Sequence, residues 1–238
     1  MKKTLLALAL ALSASFAQAI PLSTLLLDDG SIQAGDKLFT NWKYSVVMSD
    51  ENRSFNTSNI DVTAHNVLDP DFGLDFTVLN DQLSVTGDGN YAFINFQFGF
   101  KVSVLDPTLQ IKDTSLNLTG GSKTLAGDNG MYILESVGTA AGSNNLASMN
   151  VEFSYRDATP VDPVLNIVKL TDSADFSPHS EIWVTKEILV WATADTETAN
   201  LTSFNQRFSQ QTTIPEPGSL AVLTLALAGL GFARRRRR

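Results

Sequence analysis

Residues 91–105 read YAFINFQFGFKVSVL. Ala92, Ile94, Phe96, Phe98, Phe100, Val102 and Val104 take every second position, with Asn95, Gln97, Lys101 and Ser103 between them. A period of two sends successive side chains to opposite faces of a strand, so this stretch predicts a strand with one buried face and one wetter face. Met149, Val151, Phe153 and Tyr155 alternate with Asn150, Glu152 and Ser154 in the same way. Further strands are expected at residues 37–48, 60–67, 72–79, 108–118, 131–137, 164–171 and 181–192. Each is rich in the β-branched and aromatic residues that fit a pleated, half-buried surface. Turn residues punctuate them: Asp29-Gly30, Asn80-Asp81, Gly87-Asp88-Gly89-Asn90, Gly120-Gly121 and Gly127-Asp128-Asn129-Gly130. These residues tolerate positive φ or bond their own backbone. No segment of the body sustains a 3.6-residue period. The expected fold is all-β, an antiparallel β-sandwich, with a jelly roll or open barrel as alternatives.

The two ends have a different pattern. Met1-Lys2-Lys3 is a positive start, residues 5–12 are a short Leu/Ala run, and Ala17-Gln18-Ala19 is a small-x-small cleavage site. In that order they form a secretory signal peptide, cut after Ala19 with Ala17 and Ala19 as the small residues the peptidase reads. At the other end stand Pro215, Glu216 and Pro217, then an uncharged run over 218–233, then Arg234, Arg235, Arg236, Arg237 and Arg238. As a helix the run reaches about 24 Å, enough for a single transmembrane helix with some bilayer thinning. The arginines orient it with the C-terminus in the cytoplasm. The chain therefore divides into a signal peptide (1–19), a β-sandwich ectodomain (20–213) and a C-terminal segment (214–238).

Charge separates the body from its ends. Of 17 basic residues two lie in the leader and five in the tail, leaving ten; of 25 acidic residues only Glu216 lies outside the body, leaving 24. The ectodomain is thus close to −14, which repels phosphate and argues against nucleic acid as a partner. The chain has no cysteine. An exported domain without disulfides holds itself together by burial, and thiol nucleophiles and Cys-ligated metals are excluded.

Motifs for catalysis are missing. The two histidines, His65 and His179, sit in no metal-ligand spacing; His65 is expected on a strand face and His179 in a loop. No Gly-x-Ser-x-Gly elbow and no phosphate-binding glycine loop is present, and no spacing singles out a carboxylate pair. Asp69, Asp71 and Asp75 place carboxylates at alternate positions, the oxygen chemistry calcium prefers, but glycine falls one position early for an EF-hand loop and Asn80 stands where its last ligand would be. They are a weak calcium candidate. Neither metal nor cofactor is expected, and the body is expected not to be an enzyme.

The tail closely resembles the PEP-CTERM sorting signal of Gram-negative bacteria: Pro215-Glu216-Pro217, a transmembrane stretch and a terminal Arg cluster. The same short tail is also known as an ice-binding-protein C-terminal domain. The resemblance implies recognition and cleavage near the triplet by an exosortase, a membrane transpeptidase-like enzyme. It implies an inner-membrane-anchored precursor that moves on to the cell surface or matrix, and a tie to exopolysaccharide and biofilm. The body is similar to short PEP-CTERM proteins at residues 35–45 (GDKLFTNWKYS), 100–120 (FKVSVLDPTLQIKDTSLNLTG) and 203–210 (SFNQRFSQ). The expected partners are therefore export machinery, exosortase, the inner membrane in passing, and exopolysaccharide. The expected function is that of an exported surface or matrix protein. An exported polysaccharide-acting enzyme is the first alternative, and an ice- or carbohydrate-binding module the second. An ice-binding face needs threonine at every second position of a flat sheet, and the threonines here are scattered.

Overall fold

The computed structural model describes residues 18–50, 53–68 and 71–212. The alternating segments all become strands. In chain order they are β1 (Ile20–Pro21), β2 (Ile32–Ala34), β3 (Lys37–Ser49), β4 (Ile60–His65), β5 (Gly73–Val78), β6 (Ser84–Thr86), β7 (Ala92–Val104), β8 (Leu109–Lys123), β9 (Asp128–Gly138), β10 (Ala147–Arg156), β11 (Leu165–Lys169), β12 (Thr171–His179), β13 (Glu181–Ala192) and β14 (Thr198–Thr212). They form two seven-stranded antiparallel sheets. The first runs β1-β4-β5-β14-β8-β12, with β6 also paired to β14; the second runs β11-β10-β9-β13-β7-β3-β2. The sandwich expected from period-two patterning is the one observed.

The core fills the space between the sheets. Ala92, Ile94, Phe96, Phe98, Phe100 and Val102 of β7 are buried, the inward set read from the alternation. Aromatic rings bridge the layers: Phe39 lies 5.8 Å from Phe208, and Phe76 lies 5.7 Å from Phe98. Truncating any one of these fully buried rings to alanine costs about 3–5 kcal/mol, because the transfer and cavity costs add. Leu22 and Leu25 of a single helical turn (Leu22–Leu25) are also buried against this core.

Four of the polar inward side chains meet one another. Thr114 of β8, Glu135 of β9, Lys186 of β13 and Gln206 of β14 lie at 0–1% exposure in the middle of the sandwich. Lys186 Nζ donates to Glu135 Oε2 and to Gln206 Oε1, and Gln206 Nε2 donates to Thr114 Oγ1 and, at 2.6 Å, to Glu135 Oε1. Burial pushes the Lys186 amine below its ordinary value, and the Glu135 carboxylate opposes that shift.

Several expectations change. Gly120-Gly121 is not a turn: β8 continues through it to Lys123. A side chain at Gly120 would meet Ser203 Oγ and Thr202 Oγ1 at 2.5 Å, and one at Gly121 would meet Met131 Sδ at 2.5 Å. The β8–β14 register shifts around Ser203. Glycine here permits a close approach at a bulge rather than a reversal. His179 ends β12 instead of lying in a loop. Strands β12 and β14 were not expected, because their apolar residues are spaced by bulges and polar inward positions. Residues 1–17, with Ala17 of the cleavage site, and residues 213–238, with the expected transmembrane helix at 218–233, lie outside the described residues. Among the described residues no helix is long and apolar enough to cross a membrane.

Candidate functional site

The outer face of the second sheet collects side chains that alternation leaves pointing away from the core. On β13 these are Trp183, Thr185, Glu187, Leu189 and Trp191, all only half-buried. Register extends each into a row across the sheet. Trp191 lies beside Phe93 of β7 and Gly130 of β9, and Gly130 beside Ser154 of β10. The next row runs Asn95, Leu189, Tyr132, Glu152 and Lys169, and the one after it Gln97, Glu187, Leu134 and Asn150. Gly130 is required in the first row: a Cβ there would come within 2.5 Å of the Ser154 side chain. Tyr91, 47% exposed, packs its ring 5.6 Å from Phe93 at the rim.

A groove of about 260 Å³ opens at this end, lined among others by Tyr91, Asp128, Glu152, Tyr155, Arg156 and Trp191. Its polar groups are held in place. Trp191 Nε1 donates to Asp128 Oδ1 at 2.9 Å, and Ser154 Oγ donates to Glu152 Oε1 at 2.5 Å. On the neighbouring rows, outside the groove, Asn95 Nδ2 donates to Glu187 Oε1 at 2.9 Å, and Lys169 Nζ to Asn150 Oδ1 at 2.8 Å. Burial pushes the Tyr91 and Tyr132 phenols up, with the nearby Asp128 adding to the shift at Tyr91 and Glu152 and Glu187 adding at Tyr132. Both remain neutral hydroxyls at physiological pH. A second groove of about 310 Å³ lies farther along the same face, where Asn41, Lys43, Gln97, Ser136, Trp183 and Thr185 are among its lining residues. Aromatic rings with fixed amides, hydroxyls and carboxylates between them suit a ligand that has apolar C–H faces and a hydroxyl rim.

Beneath the first groove one carboxylate organises the loops. Glu197 Oε2 accepts from the Thr193 hydroxyl at 2.8 Å, from the Thr193 and Ala194 backbone N–H groups at 3.0 Å each, and from Asp128 N at 3.3 Å. Glu197 is 3% exposed. Burial alone would raise its pKa, but these donors outweigh burial and hold it below the ordinary carboxylate value.

The sequence-derived candidates fall elsewhere. Asp69 lies outside the described residues. Asp75, on β5, is held by the Arg207 guanidinium, with His65 Nδ1 3.5 Å away. Asp71 is near enough to act on the Lys37 ammonium through its field. Among the described residues no cluster of three or more His, Asp or Glu could hold a metal ion. Ala19 is exposed just before β1. Pro215, Glu216, Pro217 and the five arginines lie outside the described residues. None of the groove residues stood out in the sequence as a site. The available signal was parity: Trp183, Leu189 and Trp191 sit at the outward positions of β13, where a solvated strand would carry polar residues.

Residues 213–238 match the family model for the PEP-CTERM protein-sorting motif. The tail is that motif. It implies an exported precursor that passes through the membrane and is processed by an exosortase. No curated protein matches the chain. Among solved structures, the chain is similar to TmCBM61 in complex with beta-1,4-galactotriose. The identity is 13%, with 71% of this chain and 88% of that one covered and a TM-score of 0.24. It is also similar to endoglucanase 3 of Trichoderma harzianum, from family GH12, at 9% identity, with 82% and 99% covered and a TM-score of 0.24. At such TM-scores neither likeness bears on the ligand of this chain.

Proposed function

We propose that the mature domain is a non-enzymatic surface or matrix protein that binds exopolysaccharide along the outer face of its second sheet. The observation that supports this is the aromatic and polar patch across neighbouring rows at one end of that face: Tyr91, Phe93, Trp191 and Tyr132, with Asp128, Glu152 and Asn150 among them. Aromatic rings can lie against sugar C–H faces, and pre-held acceptors meet hydroxyls with little loss of side-chain entropy. The body's charge near −14 favours a neutral polysaccharide over an anionic one. Export through the sorting motif supports this reading, because an exported domain can meet extracellular polymer. An ice-binding role is disfavoured, since the outward positions of β13 read Trp, Thr, Glu, Leu, Trp and not a threonine rank.

A polysaccharide-cleaving enzyme is the second reading, favoured by one fact: Asp128 and Glu152 line the same groove. Affinity electrophoresis against a panel of neutral glucans, galactans and mannans tests both. Binding is expected to at least one, and Trp191→Ala and Tyr132→Ala should weaken it about tenfold or more, as the loss of an aromatic anchor does. Unchanged retention in both variants overturns the binding site. Release of reducing ends by the wild type, lost in Asp128→Asn and Glu152→Gln, would move the assignment to the enzyme.

A further inference from the structure

We propose that Lys186 and Gln206 join through an isopeptide bond inside the sandwich, formed by the protein itself with Glu135 as the catalytic carboxyl. The bond would tie β13 of the second sheet to β14 of the first. Three features carry the inference. The amine, the carboxyl and the amide are each at 0% exposure, walled by core side chains, with Phe204 5.7 Å from Nζ. Lys186 Nζ touches Gln206 Oε1, so nucleophile and carbonyl are already together, which removes most of the entropic barrier to their reaction. Glu135 bridges the two: Oε2 accepts from Lys186 Nζ, and Oε1 accepts from Gln206 Nε2 at 2.6 Å.

That bridge supplies both proton transfers. In a dry core the ion pair and its neutral form, amine plus carboxylic acid, compete, and burial favours the neutral form. The neutral Lys186 amine attacks Cδ of Gln206 after a small turn of the amide. Glu135 Oε2 takes the proton that the attacking nitrogen sheds, and the carboxyl delivers a proton from Oε1 to the departing Nε2. The Nζ–Cδ bond forms, the Cδ–Nε2 bond breaks and ammonia leaves. Glu135 ends as a neutral acid able to donate to the new carbonyl. No oxidant or cofactor is needed, and the buried charge pair is replaced by an amide, which is easier to bury. Water is excluded, so hydrolysis of the intermediate does not compete. The chain has no cysteine, and this bond would be the covalent tie that disulfides provide in other exported domains.

Intact-mass and tryptic analysis of the protein purified after export tests this. The linked form should be lighter by the mass of ammonia, about 17 Da, as amide exchange on a glutamine requires. Trypsin should fail to cut after Lys186, leaving one peptide from Leu170 to Arg207 that carries the loss. Glu135→Gln should fold but keep the full mass and a cleavable Lys186. A folded wild-type protein cut normally at Lys186, or a loss of water joining Lys186 to Glu135, overturns the proposal; linkage persisting in Glu135→Gln overturns the role of Glu135.

Discussion

Glu197→Gln changes one buried atom and should disturb both stability and the first groove. In the native fold Glu197 Oε2 accepts one hydroxyl and three backbone N–H groups, tying the β13–β14 connection to the first residue of β9. Hydrogen bonds to a charged acceptor contribute about 1.5–3 kcal/mol each and those to a neutral one about 0.5–1.5, so converting four shared contacts costs on the order of 2–3 kcal/mol once non-additivity is allowed for. In a domain of this size that is a fall in Tm of about 4–10 °C. The pH dependence follows from the sign of the shift. The folded pKa is depressed below the ordinary value of 4.5, so the stabilisation is fully present above 4.5 and is lost as pH falls through the folded pKa. Urea melts of wild type and Glu197→Gln should therefore differ most at pH 7, and the gap should close in acid below 4.5. Because Asp128 N is one of the four donors and Asp128 Oδ1 anchors the Trp191 ring, the variant should also bind polysaccharide more weakly. A gap below about 0.5 kcal/mol at neutral pH, the range of ordinary surface changes, or a gap that persists unchanged at pH 3, refutes this account.

Gly127→Ala should be severely destabilising by thermal melting: its φ is +72°, and a Cβ would fall 1.3 Å from Glu197 Oε1, so a wild-type Tm would contradict the close approach. A chelator should leave the Tm unchanged, since Arg207 already neutralises Asp75; a drop of tens of degrees would reveal a structural cation. Glu216→Ala should leave uncut precursor in the inner membrane, because Glu216 is the only side-chain carboxylate in the segment that matches the sorting motif; mature surface protein still carrying Arg234 and the residues after it would show the tail to be a plain anchor.

Strand existence was legible where burial dominated. The strand expected over 181–192 is β13 as observed, and β7 lost only one residue at each end. These segments bury one face completely, so parity alone defines them. Legibility failed where the backbone departs from a regular pleat. Gly120-Gly121 carries the residues of a turn, yet the chain stays extended because glycine there lets β8 approach Ser203 and Met131. Strand β14 interrupts its pattern with bulges near Ser203 and between Ser209 and Gln210, and its inward face holds Gln206 among phenylalanines. A central strand of the first sheet thus reads locally as polar loop.

The same parity rule that hid β14 marks the two places where chemistry is concentrated. Inward positions of β13 run Ile182, Val184, Lys186, Ile188, Val190, and outward ones run Trp183, Thr185, Glu187, Leu189, Trp191. A lysine at an inward position is costly unless a partner meets it, and that partner has to come from other strands: Glu135 is its register neighbour on β9, and Gln206 comes from the opposite sheet. Tryptophans at outward positions expose apolar rings that water alone does not reward. Each exception is visible in one strand, but its meaning depends on neighbours distant in sequence, which only the pairing order of the sheets supplies. The tail is different. Its information lies in three adjacent pieces, so it was readable without any fold, whereas the function of the body is written across strands that the chain brings together only when folded.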